Sequence, residues 1–156
     1  MRQLIDEVIR MMRERAESRG IELMTKLPDE EVEIWADERA MKQILLNLLS
    51  NAIKFSREGG EVCIRVLSDE PGLAIVEFED HGIGMNREEL ERALQPFGQA
   101  KPSTTRNYGG TGLGLPITKG LIEAHGGKLA IESRAGQGTV ARISLSTERK
   151  PLMAGA

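Results

Sequence analysis

Two amides and one ammonium group, those of Asn47, Asn51 and Lys54, recur at spacings of four and three residues in an otherwise apolar run. On a helix they fall within an arc of roughly 60°. Leaving such groups unsatisfied in a buried helix costs about 1–3 kcal/mol each. They therefore bond either to a neighbouring loop and water or to a bound polyanion with its metal ion. Asparagine oxygens suit Mg²⁺, and lysine suits phosphate.

A glycine-rich run from Gly109 to Gly114 is a second candidate for phosphate chemistry. It lacks the G-x-x-x-x-G-K-[ST] pattern of a P-loop, and it does not follow a strand as a dinucleotide-binding G-x-G-x-x-G would. A glycine loop that leads into a helix still presents unpaired N–H groups and a positive dipole to phosphate. The alternative is a flexible connector, and the run by itself leaves both open.

The third candidate is Asp80, which is followed closely by Gly82 and Gly84. A carboxylate at the end of a strand can accept a hydrogen bond from an exocyclic amine. Glycines beside it allow a flat ring to approach the backbone. Many turns share this pattern, so it predicts a ring-binding site only in combination with the other two candidates.

The elements that must position these residues follow from hydrophobic periodicity. In chain order we predict a helix over 2–18, strands over 21–24 and 32–35, a helix around 41–55 capped by Asp37, a hairpin over 61–67 and 73–79, a short helix from Asn86 with a capping box to Glu89, a helix over 115–124, and a hairpin over 128–134 and 140–146. These elements do not alternate as β-α-β units. We therefore predict an α+β fold, a two-layer α/β sandwich whose mixed, mainly antiparallel sheet is covered on one face by helices.

Length and composition further limit the domain organisation, the ligand classes and the location that the sequence allows. The 156 residues predict one domain over 1–147, with 148–156 as a disordered tail, and the polar stretch over 95–110 is long enough to predict a functional lid. The net charge of −3 argues against broad nucleic-acid binding. The one cysteine, Cys63, predicts a structural thiol in a reducing compartment. With no long apolar run and no secretory signal, we predict a cytoplasmic domain, whose parent protein can be membrane-anchored.

Together, in this order and spacing, the three candidates resemble the catalytic, ATP-binding domain of sensor histidine kinases. That domain belongs to the superfamily shared with gyrase, Hsp90 and MutL, and the resemblance runs over about residues 4–145. Asn47 to Ser56 resembles the N box, Asp80 to Gly84 the G1 box, Pro96 to Gln99 the F box, and Gly110 to Leu115 the G2 box. The resemblance implies a Bergerat-type sandwich.

The resemblance implies that Mg-ATP is bound and that Asn47, Asn51 and Lys54 carry the catalysis. Asn51 would hold Mg²⁺, Asn47 would support the metal and the triphosphate, and Lys54 would contact phosphate. Asp80 would accept a bond from the adenine amine. The other residues implied to surround the nucleotide are Gly82, Gly84, Phe97, Arg106, Gly110, Thr111, Gly112, Leu113, Gly114 and Thr139.

The implied acceptor is a histidine on a separate dimerisation and phosphotransfer helical hairpin, with a response regulator receiver domain downstream. The chain's two histidines, His81 and His125, have no H-E-x-x-x-P context, so we expect a donor domain that is monomeric in isolation. Gyrase-type ATPases carry a general-base Glu where this chain has Asn47, which favours a kinase over a hydrolase. Two alternatives remain: a pseudokinase-like module that binds nucleotide to regulate an interaction, and an anti-sigma-factor-type serine kinase.

Overall fold

The computed structural model describes residues 1–68, 70–98 and 112–148. These form four helices and one five-stranded sheet. The elements in chain order are α1 (Arg2–Glu17), β1 (Glu22–Lys26), α2 (Glu38–Phe55), β2 (Glu61–Leu67), β3 (Leu73–Asp80), α3 (Arg87–Ala93), α4 (Gly114–Ala124), β4 (Lys128–Arg134) and β5 (Gly138–Ser146). Residues 99–110 of the predicted lid, Thr111, and residues 149–156 of the predicted tail lie outside the described residues.

The sheet has the strand order β1-β2-β3-β5-β4. The β1–β2 pair is parallel and the other three pairs are antiparallel. This confirms the predicted mixed, mainly antiparallel sheet. Its register places Asp80, the last residue of β3, opposite Thr139 near the start of β5. Two residues far apart in the chain are therefore neighbours at one end of the sheet.

Helices α1, α2 and α4 cover one face of the sheet, and α2 lies in the middle. The apolar side of α2 is buried almost completely, with Ile44, Leu45 and Leu49 each 0% exposed. Across from it, Ala74 and Val76 of β3 are also 0% exposed. Burying these aliphatic side chains stabilises the fold by about 1.5–3 kcal/mol for each large residue. The core thus fixes the rotation of α2 about its axis and with it the direction of its polar residues.

Local sequence signals set the helix boundaries as predicted. The Asp37 side chain accepts a hydrogen bond from the backbone N–H of Ala40 at 2.8 Å and caps α2. Asn86 and Glu89 form the capping box of α3, since each side chain accepts from the other's backbone N–H. Within the described ranges, no helix combines the length and the apolarity that crossing a membrane needs.

The predicted strand over 32–35 is wrong, because these residues form no strand. Val32 is buried and Glu33 and Trp35 are exposed, so the alternation does report which side chains are covered. A strand also needs a neighbour that pairs with its backbone. Here the Val32 carbonyl instead accepts from the Met1 amine at 3.0 Å, so the segment runs past the start of α1 as irregular extended chain.

The face of the sheet opposite the helices carries charged side chains that pair across strands. Glu77 of β3 is only 6% exposed and lies between Arg65 of β2 and Arg142 of β5. Burial alone would raise the pKa of Glu77, but hydrogen bonds from the two guanidinium groups outweigh it and hold the pKa below its ordinary value. This ion-paired row keeps the carboxylate charged under a partly apolar cover.

Candidate functional site

Asn47, Asn51 and Lys54, the polar stripe of α2, are half-buried. The Asn47 amide nitrogen donates to Thr118 Oγ1 at 3.1 Å and lies 3.5 Å from the Gly114 carbonyl oxygen, both on α4. The Asn47 amide oxygen accepts a 2.8 Å bond from Gln43 Nε2. Both ends of this amide are thus engaged by protein groups. Asn47 therefore holds α2 against the start of α4.

One turn further along α2, the amide of Asn51 has no hydrogen bond to any residue in the described ranges. Its oxygen is therefore available to a ligand. The same part of the chain contains no group of three His, Cys, Asp or Glu side chains that could hold a metal ion. Mg²⁺ usually takes few protein ligands and completes its shell with water and substrate phosphates. The Asn51 oxygen next to a phosphate site fits that requirement.

Lys54 continues the stripe toward the C-terminal end of α2. Its Nζ lies 4.8 Å from the centre of the Phe55 ring. The pKa of Lys54 is lowered, first by burial and then by the positive charge of Arg15 on α1. A second cation therefore lies close to the predicted phosphate contact.

The Asp80 carboxyl is 7% exposed at the end of β3. One of its oxygens accepts a hydrogen bond from the Gly82 N–H at 2.9 Å. Burial raises the Asp80 pKa from 3.8 to about 6, although hydrogen bonds from the backbone N–H groups of Gly82 and Thr139 oppose the rise. A buried carboxyl that is ionised at neutral pH can accept one more bond from a ligand donor.

The two glycines after Asp80 are required by the protein's own backbone. A Cβ on Gly82 would lie 2.0 Å from the Phe55 carbonyl oxygen, and a Cβ on Gly84 would lie 1.9 Å from that of Arg134. The Ile83 N–H also donates to the Phe55 carbonyl at 3.1 Å. These contacts seat the loop after Asp80 against the end of α2. Their role beside a bound base, which the sequence implies, stays a prediction.

Thr139 also lies at this end of the sheet. Its hydroxyl is 2.8 Å from the hydroxyl of Ser133 on β4, and its backbone N–H is one of the donors to Asp80. The Ser133 hydroxyl in turn accepts from the Met85 N–H at 2.8 Å. Thr139 thus takes part in the network that holds Asp80 and the loop after it in place.

The two chain segments that flank residues 99–111 meet next to α4. A Cβ on Gly112, which has φ of +71°, would lie 2.7 Å from the Gly98 carbonyl oxygen. Around a Cβ on Gly114, at the start of α4, there is open space. The first turn of any helix leaves N–H groups without helical acceptors, and here that turn lies beside Asn47. Leu113 immediately precedes α4 as its N-cap residue, and its side chain makes no capping hydrogen bond.

For the remaining predicted ligand residues, the structure does not test the predicted contact with nucleotide. Phe97 has a positive φ of 60° and is 76% exposed, so its role as an anchor of the lid stays a prediction. Arg106, Gly110 and Thr111 lie outside the described residues. The structure therefore brings together the polar stripe, Asp80 with its loop, Thr139 and the start of α4.

Thr118 belongs to the site through its bond to Asn47 and was not predicted from the sequence. It is 0% exposed on α4 and accepts the bond from Asn47. A polar residue inside the largely apolar run over 115–122 was the available signal. Its partner could not be identified, because Asn47 is 71 residues away.

Replacing Thr118 by valine keeps the shape of the side chain and removes the acceptor of the Asn47 bond. We expect the free energy of unfolding to fall by about 1–3 kcal/mol, because the amide loses a buried partner. Thr25→Val, at an exposed position of β1, is the matched control and should change stability by less than about 0.5 kcal/mol. Equal stability of the two variants in urea titrations would contradict the role given to this bond.

Comparison with known proteins identifies relatives of this chain. Residues 36–149 match the model of a family described as histidine kinase-, DNA gyrase B- and HSP90-like ATPase. Histidine protein kinase DivJ of Caulobacter vibrioides is 39% identical over 153 residues, which are 98% of this chain and 25% of DivJ. The chain thus spans about a quarter of this relative's length.

Solved structures share the fold. The catalytic domain of histidine kinase ThkA, in a nucleotide-free form, has a TM-score of 0.80 and 30% identity over 94% of this chain and 92% of that domain. Full-length ShkA in complex with AMPPNP has a TM-score of 0.80 and 32% identity over 97% of this chain and 31% of ShkA. ThkA in complex with response regulator protein TrrA has a TM-score of 0.77 and 28% identity over 95% of this chain and 40% of that one.

Proposed function

This chain belongs to the family of histidine kinase-, DNA gyrase B- and HSP90-like ATPases, and we propose that it binds Mg-ATP and donates the γ-phosphate to a histidine on a separate domain. One observation carries the proposal. The polar stripe of α2 is half-buried, and the amide oxygen of Asn51 in it bonds to none of the described residues. The stripe leads to the buried Asp80 carboxyl, which can accept one more hydrogen bond. Such an arrangement suits a ligand with a phosphate chain at one end and a hydrogen-bond donor at the other.

Each end of the site has a distinct role in this proposal. The Asp80 carboxylate accepts a hydrogen bond from the adenine amine. Asn51 gives an oxygen ligand to Mg²⁺, which when bound neutralises charge on the phosphates. Lys54 and the first turn of α4 contact phosphate oxygens. ShkA, which shares this fold over 31% of its chain, has been solved in complex with AMPPNP, which supports a nucleotide as the ligand.

The site favours transfer over hydrolysis. A water molecule attacking the γ-phosphate needs a group that takes its proton. The Asn47 amide offers no such base, and its two ends are engaged by Thr118 and Gln43. The protein's contribution is instead to hold the phosphates still until an imidazole from another domain approaches in line. The bond from the γ-phosphorus to ADP then breaks as the bond to the imidazole nitrogen forms.

Neither of the chain's own histidines lies on an exposed acceptor helix. His81 is exposed in the loop after β3, and its Nε2 lies 3.8 Å from a carboxylate oxygen of Glu79. His125 ends α4, where Nδ1 lies 2.7 Å from the Leu121 carbonyl and Nε2 accepts from the Asp37 N–H at 3.2 Å. Both nitrogens of His125 are therefore occupied. The proposed acceptor is a helical hairpin of the parent kinase, and the proposed receiver of the phosphoryl group is a response regulator, as ThkA has been solved with TrrA.

We expect no incorporation of phosphate when this chain is incubated alone with γ-labelled ATP. Adding a separately produced helical hairpin that carries an acceptor histidine should transfer the label to the hairpin. The Asn51→Ala chain is the control and should transfer none. Loss of the label in acid identifies phosphohistidine, whereas an acid-stable label would identify the serine kinase alternative. Nucleotide binding without transfer to any hairpin would instead favour the regulatory module.

A further inference from the structure

Arg15, near the end of α1, reaches across to the neighbouring helix. Its Nη1 donates to the Ser50 hydroxyl of α2 at 3.0 Å. Residues three and four apart on a helix are neighbours on its surface. Ser50 is three residues after Asn47 and four before Lys54, so Arg15 binds α2 at the edge of the polar stripe.

Arg15 and Lys54 also interact electrostatically across the contact between α1 and α2. The positive charge of Arg15 contributes to the lowered pKa of Lys54, after the larger effect of burial. Some cations of the chain have carboxylate partners, such as Lys42 with Glu7. Arg15 makes no ion pair with any carboxylate in the ranges 1–68, 70–98 and 112–148. Two cations within electrostatic range repel each other, and a bound anion would offset that repulsion.

The point at which Arg15 of α1 bonds to α2 indicates which part of a nucleotide Arg15 would contact. The loop after Asp80 contacts α2 at Phe55, so a base bound at Asp80 would lie at that end of the helix. Ser50 is five residues further back, roughly 7 Å along the helix axis. The phosphate chain has to extend from Phe55 toward Asn47. Arg15 is therefore level with the distal phosphates and away from the base.

We propose that Arg15 is a second cation of the phosphate subsite, which contacts the terminal phosphate of Mg-ATP together with Lys54. The inference rests on the proposed function, because it uses the same nucleotide pose. The bond to Ser50 holds the guanidinium in position before ligand arrives. Arg15 thereby makes the site discriminate between ATP and ADP.

Calorimetric titrations with Mg-ATP, Mg-ADP and magnesium tripolyphosphate test this assignment. The chains compared are wild type, Arg15→Gln, Arg15→Lys and the matched control Arg13→Gln, which removes an exposed arginine from the same helix. Arg15→Gln should weaken Mg-ATP and tripolyphosphate about tenfold and Mg-ADP less than about threefold. Arg15→Lys should recover most of the loss, and Arg13→Gln should match wild type.

A merely structural role gives a different result. If Arg15 only ties α1 to α2, Arg15→Gln lowers the thermal midpoint and leaves the ratio of ATP to ADP affinity unchanged, which overturns the proposal. Wild type that fails to bind nucleotide but binds tripolyphosphate in an Arg15-dependent manner would overturn the proposed function and keep this subsite. Wild type that binds neither would overturn both.

Discussion

Replacing Asn51 by alanine is expected to lower the affinity for Mg-ATP by at least about 100-fold, since even groups that only support metal ligands contribute 10–100-fold. The amide oxygen of Asn51 makes no bond to the described protein groups, so this change removes the proposed protein ligand of Mg²⁺. Alanine is the best helix former, so α2 should keep its stability. Calorimetry with Mg-ATP and a thermal melt of the same sample measure both effects.

Two comparisons make this result specific to the metal. In EDTA, wild type and Asn51→Ala should bind ATP equally weakly, because the contribution of Mg²⁺ is then absent from both. Asn51→Asp retains an oxygen ligand and should lie between wild type and the alanine variant. Undiminished binding of Mg-ATP by a well-folded Asn51→Ala chain would contradict the assignment of this amide.

Replacing Asp80 by asparagine is expected to stabilise the nucleotide-free chain while weakening its binding of ATP about tenfold. Burial raises the pKa of this carboxyl from 3.8 to about 6, so at neutral pH the fold holds a charge in an unfavourable place. Removing the charge should stabilise the fold by about 2 kcal/mol, or roughly 4–8 °C in Tm. ATP loses a charge-assisted hydrogen bond in the same variant. Thermal melts and calorimetry measure the two opposite effects.

The pH dependence follows from the direction of the shift. Between about pH 4 and pH 6 the native carboxyl binds more protons than the unfolded one, so wild-type stability falls as pH rises through this range. The asparagine variant lacks this titration. The variant's gain in free energy of unfolding over wild type should be complete at about pH 7.5 and small at about pH 4. An advantage that is equal at both values, or absent at neutral pH, would show that the buried charge is not its cause.

Periodicity was sufficient to predict the central helix and its polar stripe. A helix turns by a fixed angle for each residue, so the apolar positions from Met41 to Ile53 determined which side of α2 is buried. The same angle placed Asn47, Asn51 and Lys54 on one side. The N-cap role of Asp37 was equally predictable, because capping depends on residues only three apart.

The sequence could not predict which residues distant in the chain contact one another. Alternation showed that Val32 is buried, but it could not show that the segment has no strand to pair with. The glycine at position 82 was interpreted as room for a bound ring, whereas the Phe55 carbonyl that excludes a side chain there could not be predicted. The bonds of Thr118 to Asn47 and of Arg15 to Ser50 likewise depend on how α1 and α4 pack against α2.

The central claim is that the polar stripe and Asp80 together form a site for ATP that depends on Mg²⁺. Calorimetric titration of the wild-type chain with ATP, first with Mg²⁺ and then in EDTA, tests it most directly. We predict saturable binding of one ATP per chain with Mg²⁺ and much weaker binding in EDTA. Binding of equal strength under both conditions, or no binding under either, would contradict the claim.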